Sequence, residues 1–236
     1  MQNIYTPSYS VPCELCSIGS ICLSIFKDDY SCAILNRKRL FEKNDIIAQA
    51  GEPLNNLLVI HSGCLKSYAV TSSGAEQITG FYLPGDILGF EAISSKKHYN
   101  SIQALTKTSV CEVRHEEFMS LMANCGQVRD VMVNLMSQEI LNQQKLILML
   151  SQKNAEERLA SFIYLLYTRY ALRGHVSLNI KLSVCRSDIA NYLGLTIETI
   201  SRIFTRLQQL NILAVKGKHI LIKNLPELIK FSGELE

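Results

Sequence analysis

Long apolar runs are missing from this 236-residue chain; the longest in its helical middle is Leu146 to Leu150. A bilayer span needs roughly 18 consecutive apolar residues, so no membrane partner is expected. The N-terminus lacks a basic stretch followed by an apolar core, so nothing reads as a secretory signal and the expected location is cytoplasmic. Also missing are a nucleotide-binding glycine loop, a nucleophile elbow and an HExxH metal motif, so an enzyme is not expected. In a reducing compartment the eight cysteines read as metal ligands, redox sensors or small buried hydrophobes before disulfides.

Charge is unevenly placed. From Lys153 onward there are 12 Lys/Arg against seven Asp/Glu, a balance of +5, whereas the residues before it hold 12 against 14, a balance of −2. A basic C-terminal third on a slightly acidic body fits a nucleic-acid-binding module attached to something else.

Four regions separate along the chain. Residues 1–24 are an aperiodic, cysteine-rich arm. In residues 25–125, Gly51, Gly63, Gly74 and Gly85 recur every 11 or 12 residues, between apolar stretches such as Leu57-Leu58-Val59-Ile60. That is strand-and-turn spacing for a β-sandwich or β-roll. Residues 126–152 read as one long helix, free of Gly and Pro from Val128 to Leu150. Val133, Met136, Ile140, Gln143, Ile147 and Leu150 follow alternating steps of three and four on one face; Val128, Val131, Leu135 and Leu146 form a second apolar flank. Two apolar faces need two partners: the chain's own β-domain, and the same helix of a second copy. Burial all round in a single core is the other reading. Residues 153–236 are helical again and end in a short hairpin.

Within that last region Asp188 to Arg202 has helix-turn-helix spacing. Ile189 and Leu193 share a face, Gly194 supplies the turn, and Thr196 is a good N-cap for the second helix. Ile200, Ile203, Phe204 and Leu207 form its inward stripe. Glu198, Ser201, Arg202 and Thr205 are then left pointing outward, where a recognition helix enters a major groove. Arg can bond guanine O6 and N7, Glu can accept from cytosine N4, and Ser serves several edges. Lys216 and Lys218 in the hairpin sit like a wing on phosphates. Double-stranded DNA is the expected partner.

Cys13, Cys16 and Cys22 form a compact C-x2-C-x5-C run interleaved with Leu15, Ile18 and Ile21. Dense thiolate ligands suit zinc or an iron–sulfur cluster equally, and three leave a site incomplete. Cys111 and Cys32 are the main candidates for a fourth. Cys64, Cys125 and Cys185 read as small buried hydrophobes.

Arm, β-roll, long helix and winged helix-turn-helix in this order resemble the CRP/FNR superfamily. Within it the chain looks like the FNR branch, the fumarate-and-nitrate-reduction regulators that sense oxygen. The resemblance runs through Glu76-Gln77-Ile78-Thr79-Gly80-Phe81, Lys153-Asn154-Ala155-Glu156-Glu157-Arg158-Leu159-Ala160 and Asn191-Tyr192-Leu193-Gly194-Leu195-Thr196. It implies an α+β fold: an N-terminal β-roll like that of cyclic-nucleotide-binding domains, a dimerisation helix, and a C-terminal winged helix-turn-helix. It implies a [4Fe–4S] cluster on Cys13, Cys16, Cys22 and Cys111, converted by oxygen to a [2Fe–2S] form with a weakened dimer and loss of DNA. The family's Glu-x-x-Ser-Arg motif falls on Glu198, Ser201 and Arg202, which implies palindromic sites with TTGAT-like halves read by a homodimer working with RNA polymerase. Weak candidates for polymerase contact are the loop near Ser73-Gly74 and the residues near Arg173. Two departures stand out. Gly89 to Gln103 lacks the Arg that holds a cyclic phosphate in other members, so no cyclic nucleotide is expected. Gln143 stands where FNR-type dimer helices can carry an acid. A zinc-stabilised or thiol-switched regulator is the nearer alternative, an electron-transfer iron–sulfur protein the more distant one.

Overall fold

The computed structural model describes residues 10–19 and 37–233. The chain divides into two compact units, Met1–Met136 and Ser137–Glu236.

The first unit is built on eight strands: β1 (Arg37–Phe41), β2 (Ile46–Ala48), β3 (Asn56–Ser62), β4 (Leu65–Val70), β5 (Glu76–Tyr82), β6 (Ile87–Leu88), β7 (Ser101–Ala104) and β8 (Thr108–Arg114). They form two antiparallel four-stranded sheets, ordered β1-β8-β3-β6 and β2-β7-β4-β5. The glycines expected at the turns are there, and Gly63 shows why: its φ is +96°, and a Cβ would collide with the Thr108 side chain and the Lys107 carbonyl.

Strand alternation sends side chains of β3 and β8 to opposite faces. Leu58, Ile60 and Val110 meet Leu65, Ile102 and Ala104 between the sheets. Leu57, Val59 and Val113 form a second core on the outer face, with Ile18 from the arm, Phe118, and Val128 and Met132 from the long helix. Phe118 belongs to α1 (His115–Asn124), and the long helix is α2 (Gly126–Gln152). The β-roll strands thus end at Arg114, and residues 115–124 are a helix where strand-and-turn spacing was expected to continue. Three of the four residues of the second flank pack on this outer core: Val128 is buried, and Val131 and Leu135 lie against it, whereas Leu146 is half-exposed and not part of it.

The second unit contains α3 (Ala155–Ala171), β9 (Asn179–Lys181), α4 (Arg186–Leu193), α5 (Ile197–Gln209), β10 (Leu213–Lys216), β11 (His219–Ile222) and α6 (Leu225–Ser232). Asn154 opens α3 with a capping box: its side chain accepts from the N–H groups of Glu156 and Glu157, and the Glu157 carboxylate accepts from the Asn154 N–H. The wing is a three-stranded sheet, β10-β11-β9. The expected ending in a hairpin is corrected, because α6 follows it, opened by an Asn224 side chain that accepts from the Glu227 N–H.

Tyr192 of α4 packs its ring 5.9 Å from that of Phe162 in α3. Burial, reinforced by the Glu139 charge and opposed by Arg169, pushes the Tyr192 hydroxyl up to about 12. A phenol that ionises less readily folded than unfolded contributes stability that is complete below pH 10 and is lost as pH rises towards 12. Between pH 9.5 and 11.5 the parent should therefore lose about 1.5–2 kcal/mol more than Tyr192→Phe. Urea unfolding of both proteins at pH 9.5 and 11.5 checks it; equal losses would place the tyrosine in a wetter setting.

Candidate DNA-reading face and cysteine site

The helix expected to read DNA is α5. Thr196 caps it, its hydroxyl accepting from the Thr199 N–H at 3.2 Å. Gly194 turns the chain into it from α4 with φ at +63°. Ile200, Ile203, Phe204 and Leu207 are buried as the stripe required. Glu198, Arg202 and Thr205 are exposed, Ser201 is half-exposed, and Lys216 and Lys218 are exposed on the wing. The face expected to read DNA is therefore presented on one helix with a basic hairpin following it.

Three arginines that no sequence pattern singles out make further contacts around this face. Arg158 of α3 donates to three backbone carbonyls, those of Leu150 (2.7 Å), Lys153 (2.9 Å) and Leu193 (3.1 Å). These are the orphan carbonyls at the ends of α2 and α4, where a cation is also favoured by the helix dipoles. One guanidinium thus ties the end of the long helix to the turn of the helix-turn-helix. Arg206 of α5 pairs with Glu156 of α3 at 3.0 Å. Arg186, the first residue of α4, donates to the Ser201 hydroxyl at 3.2 Å and lies over the Phe204 ring at 5.3 Å.

Cys185 corrects an expectation. It is exposed, not a buried hydrophobe. Its sulfur is the N-cap of α4, accepting from the Asp188 N–H, while the thiol donates to the Asp188 carboxylate at 2.8 Å. A thiol can fill a capping role that Ser or Thr more often holds, and capping positions face solvent. Cys64 is buried, as expected, and Cys125 is half-buried.

The arm is pinned to the sheet at one end: the Val11 N–H donates to the His61 carbonyl at 3.0 Å, beside a Ser10–Ser62 bridge. Cys13 to Leu15 make a single 3-10 turn. The chain then folds back so closely that a Cβ on Gly19 would overlap the Cys13 carbonyl. Cys16 and Cys111 pack against the same outer core, together with Cys125. Cys111 is central in its sheet, opposite Val59 of β3 and Lys38 of β1. Burial pushes the Cys111 thiol up, the Lys38 charge beside it pulls it down, and Cys16 and Cys13 push it up again. Cys16 and Cys111 thus share one packing environment on the outer face of β8, and the Cys13 charge is felt at Cys111. Among the described residues no three His, Cys, Asp or Glu side chains stand close enough to hold a metal ion. Cys22, the remaining expected ligand, and Cys32 lie outside the described residues. Soft sulfur donors beside apolar Ile18 and Val113 fit a sulfur-ligated cluster shielded from water better than a hard cation.

The long helix leaves its second face bare. Val133, Ile140 and Ile147 are 56%, 61% and 64% exposed, and Met136 and Leu150 are half-exposed. Gln143 lies among them, donating to the Glu139 carboxylate at 2.9 Å.

Comparison with known proteins agrees with this anatomy. Residues 38–125 match the cyclic nucleotide-binding domain, and residues 157–231 the Crp-like helix-turn-helix domain. The chain is 43% identical over 236 residues to the anaerobic regulatory protein of Pasteurella multocida (strain Pm70), covering 98% of this chain and 86% of the relative. It is 43% identical over 237 residues to the fumarate and nitrate reduction regulatory protein of Escherichia coli (strain K12), covering 99% and 95%. Among solved structures, FixK2 from Bradyrhizobium japonicum superposes with a TM-score of 0.78 at 29% identity, over 85% of this chain and 98% of that one.

Proposed function

The chain belongs to the CRP/FNR family of transcription regulators, and on that premise we propose that it is a cytoplasmic, oxygen-responsive regulator that binds palindromic TTGAT-like DNA as a homodimer. The observation that carries this reading is the shared core on the outer face of β8. Cys16 and Cys111 pack on the same side chains as Val128 and Met132, the first turns of the long helix. Any change in how the arm is tied to Cys111 is felt by that helix.

Cys13, Cys16, Cys22 and Cys111 would hold a [4Fe–4S] cluster, which when bound supplies an oxygen-labile link between arm and sheet. Cys111 gives the site a rigid strand position, and Ile18 and Val113 keep water from it. The bare face of α2, with Val133, Met136, Ile140, Gln143, Ile147 and Leu150, would meet its symmetry mate, since an apolar face of this size on a long helix is stable only when covered. The β-roll acts as a scaffold with no cyclic nucleotide, supported by an interior filled by Phe41, Leu58, Ile60, Leu65 and Ile102. RNA polymerase is the further partner expected of such a regulator.

At the DNA, Glu198 accepts from a cytosine, Arg202 donates bidentately to a guanine, and Ser201 bonds a further base edge. Thr196 holds the helix N-terminus that faces the backbone, and Lys216 and Lys218 neutralise phosphates. Arg202→Ala should cost roughly 1–3 kcal/mol at one base pair and relax preference there. Lys216→Ala should weaken all sequences about equally. Binding-site selection with each variant separates them; an unchanged consensus for Arg202→Ala would remove this residue from base reading. The function itself is tested by DNA binding of protein prepared without air, before and after exposure to air. Air-insensitive binding to TTGAT-like palindromes would refute oxygen control.

A further inference from the structure

The geometry points to Arg186 as a positioning residue that makes the Ser201 hydroxyl an obligate hydrogen-bond donor towards DNA, so that this serine selects bases with an acceptor. This rests on the reading of α5 as the recognition helix. A guanidinium has only donors, so in the 3.2 Å contact between Arg186 Nη1 and Ser201 Oγ the serine oxygen accepts. The Arg186 group is held there from beneath by the Phe204 ring, whose centroid is 5.3 Å away and which is itself buried. It is also fixed at the backbone, since Arg186 is the first residue of α4, behind the Cys185 cap.

A hydroxyl has one proton and two lone pairs. Once Arg186 occupies the acceptor side, the proton must point elsewhere. Serines in helices often turn it back to the carbonyl four residues earlier. Thr205 does this, donating to the Ser201 carbonyl at 3.1 Å. Ser201 makes no such bond, and among the described residues its proton has no acceptor within the chain. It is left aimed outward from a half-exposed position on the reading face. In the major groove that proton matches thymine O4 or guanine O6 and N7, and it opposes the N4 amino group of cytosine. A serine free of Arg186 would have no such sense, because its hydroxyl rotates to suit either kind of edge.

The test uses the full chain prepared without air and selection of duplexes randomised across the half-site, followed by titrations at several salt concentrations. Arg186→Met keeps an apolar side chain over Phe204 but removes the donors; Arg186→Lys keeps a donor and the charge. Arg186→Met is expected to raise tolerance of cytosine at a single base pair by roughly 2- to 10-fold, the worth of one hydrogen bond, with preference at the other pairs unchanged. Ser201→Ala should lose preference at that same pair, and adding Arg186→Met to it should change nothing more there. Arg186→Lys should select as the parent does. A uniform weakening with a salt slope shallower by about one would make Arg186 a phosphate contact and overturn the proposal. So would an unchanged consensus accompanied only by lower thermal stability. A parent protein that selects no sequence would bring down the recognition-helix reading as well, an outcome distinct from either.

Discussion

Cys111→Ser protein, prepared without air, is expected to be colourless and to contain neither iron nor sulfide in stoichiometric amounts, while the parent holds one [4Fe–4S] cluster that air degrades. The expectation follows from where the residue sits. Cys13 and Cys16 lie on a short arm held to β3 near Ser10 and Val11. Cys111 is in the middle of a four-stranded sheet, paired on both sides. Among the described candidate ligands it is the one whose backbone is fixed by strand hydrogen bonds on both sides, and a serine hydroxyl would be too hard a donor to replace a thiolate on iron. Cys125 is the rival to watch, because it packs on the same core as Cys16 and Cys111. Cys125→Ser should keep the cluster, as should Cys32→Ser, Cys64→Ser and Cys185→Ser. Iron and acid-labile sulfide analysis of each variant decides the assignment. A full complement in Cys111→Ser would remove it from the ligand set, and stoichiometric zinc without iron in the parent would favour the zinc-stabilised alternative.

Some of this was legible in the sequence because it is carried by short-range patterns. The second helix of the helix-turn-helix announces itself by buried residues at i, i+3, i+4 and i+7 (Ile200, Ile203, Phe204 and Leu207), a cap at Thr196 and a glycine at 194 that adopts a left-handed turn. The bare stripe of the long helix was legible for the same reason. Helix α1 also carried a signal, since Phe118, Leu121, Met122 and Cys125 recur at helical spacing and pack on the outer core, but the strand-and-turn spacing before it was extended over them. Helix α6 had a signal that went unused: Asn224 as cap, Pro226 in the first turn and Glu227 behind it. Arg158 and Arg186 were invisible for a different reason. Their roles depend on carbonyls and a hydroxyl brought to them by folding, at separations of 35 residues for the Leu193 carbonyl and 15 for Ser201. Cys185 was misjudged because cysteine is usually buried, and burial statistics carry no information about a thiol used as a cap. The cysteine spacing left zinc and iron–sulfur open; the family resemblance, not the ligand geometry, made the choice.

The second large effect is expected at Gln143. It lies on the face of α2 with Val133, Ile140 and Ile147, all exposed in the single chain, and the proposed two-fold helix pair would bring it near its counterpart. As glutamine it is neutral, and its amide already donates to the Glu139 carboxylate at 2.9 Å, which holds the side chain along the helix and offsets the Glu139 charge. An aspartate at 143 would reverse both effects. It would meet a like charge four residues back on its own helix, an unfavourable spacing, and a second like charge across the seam. Two carboxylates about 5 Å apart repel by roughly 3 kcal/mol at an effective dielectric near 20, equivalent to a weakening of the dimer by about two orders of magnitude. Protonation relieves the repulsion, so the penalty should be present at pH 7 and fall as pH drops towards 4. The parent, lacking it, should dimerise measurably even without a cluster and respond to oxygen less steeply than a protein with an acid here. Sedimentation of cluster-free parent and Gln143→Asp at matched concentrations and pH 7 measures this directly. Equal monomer fractions would place residue 143 outside the dimer seam, whereas a monomeric variant that reassociates at lower pH would put two of these side chains face to face across it.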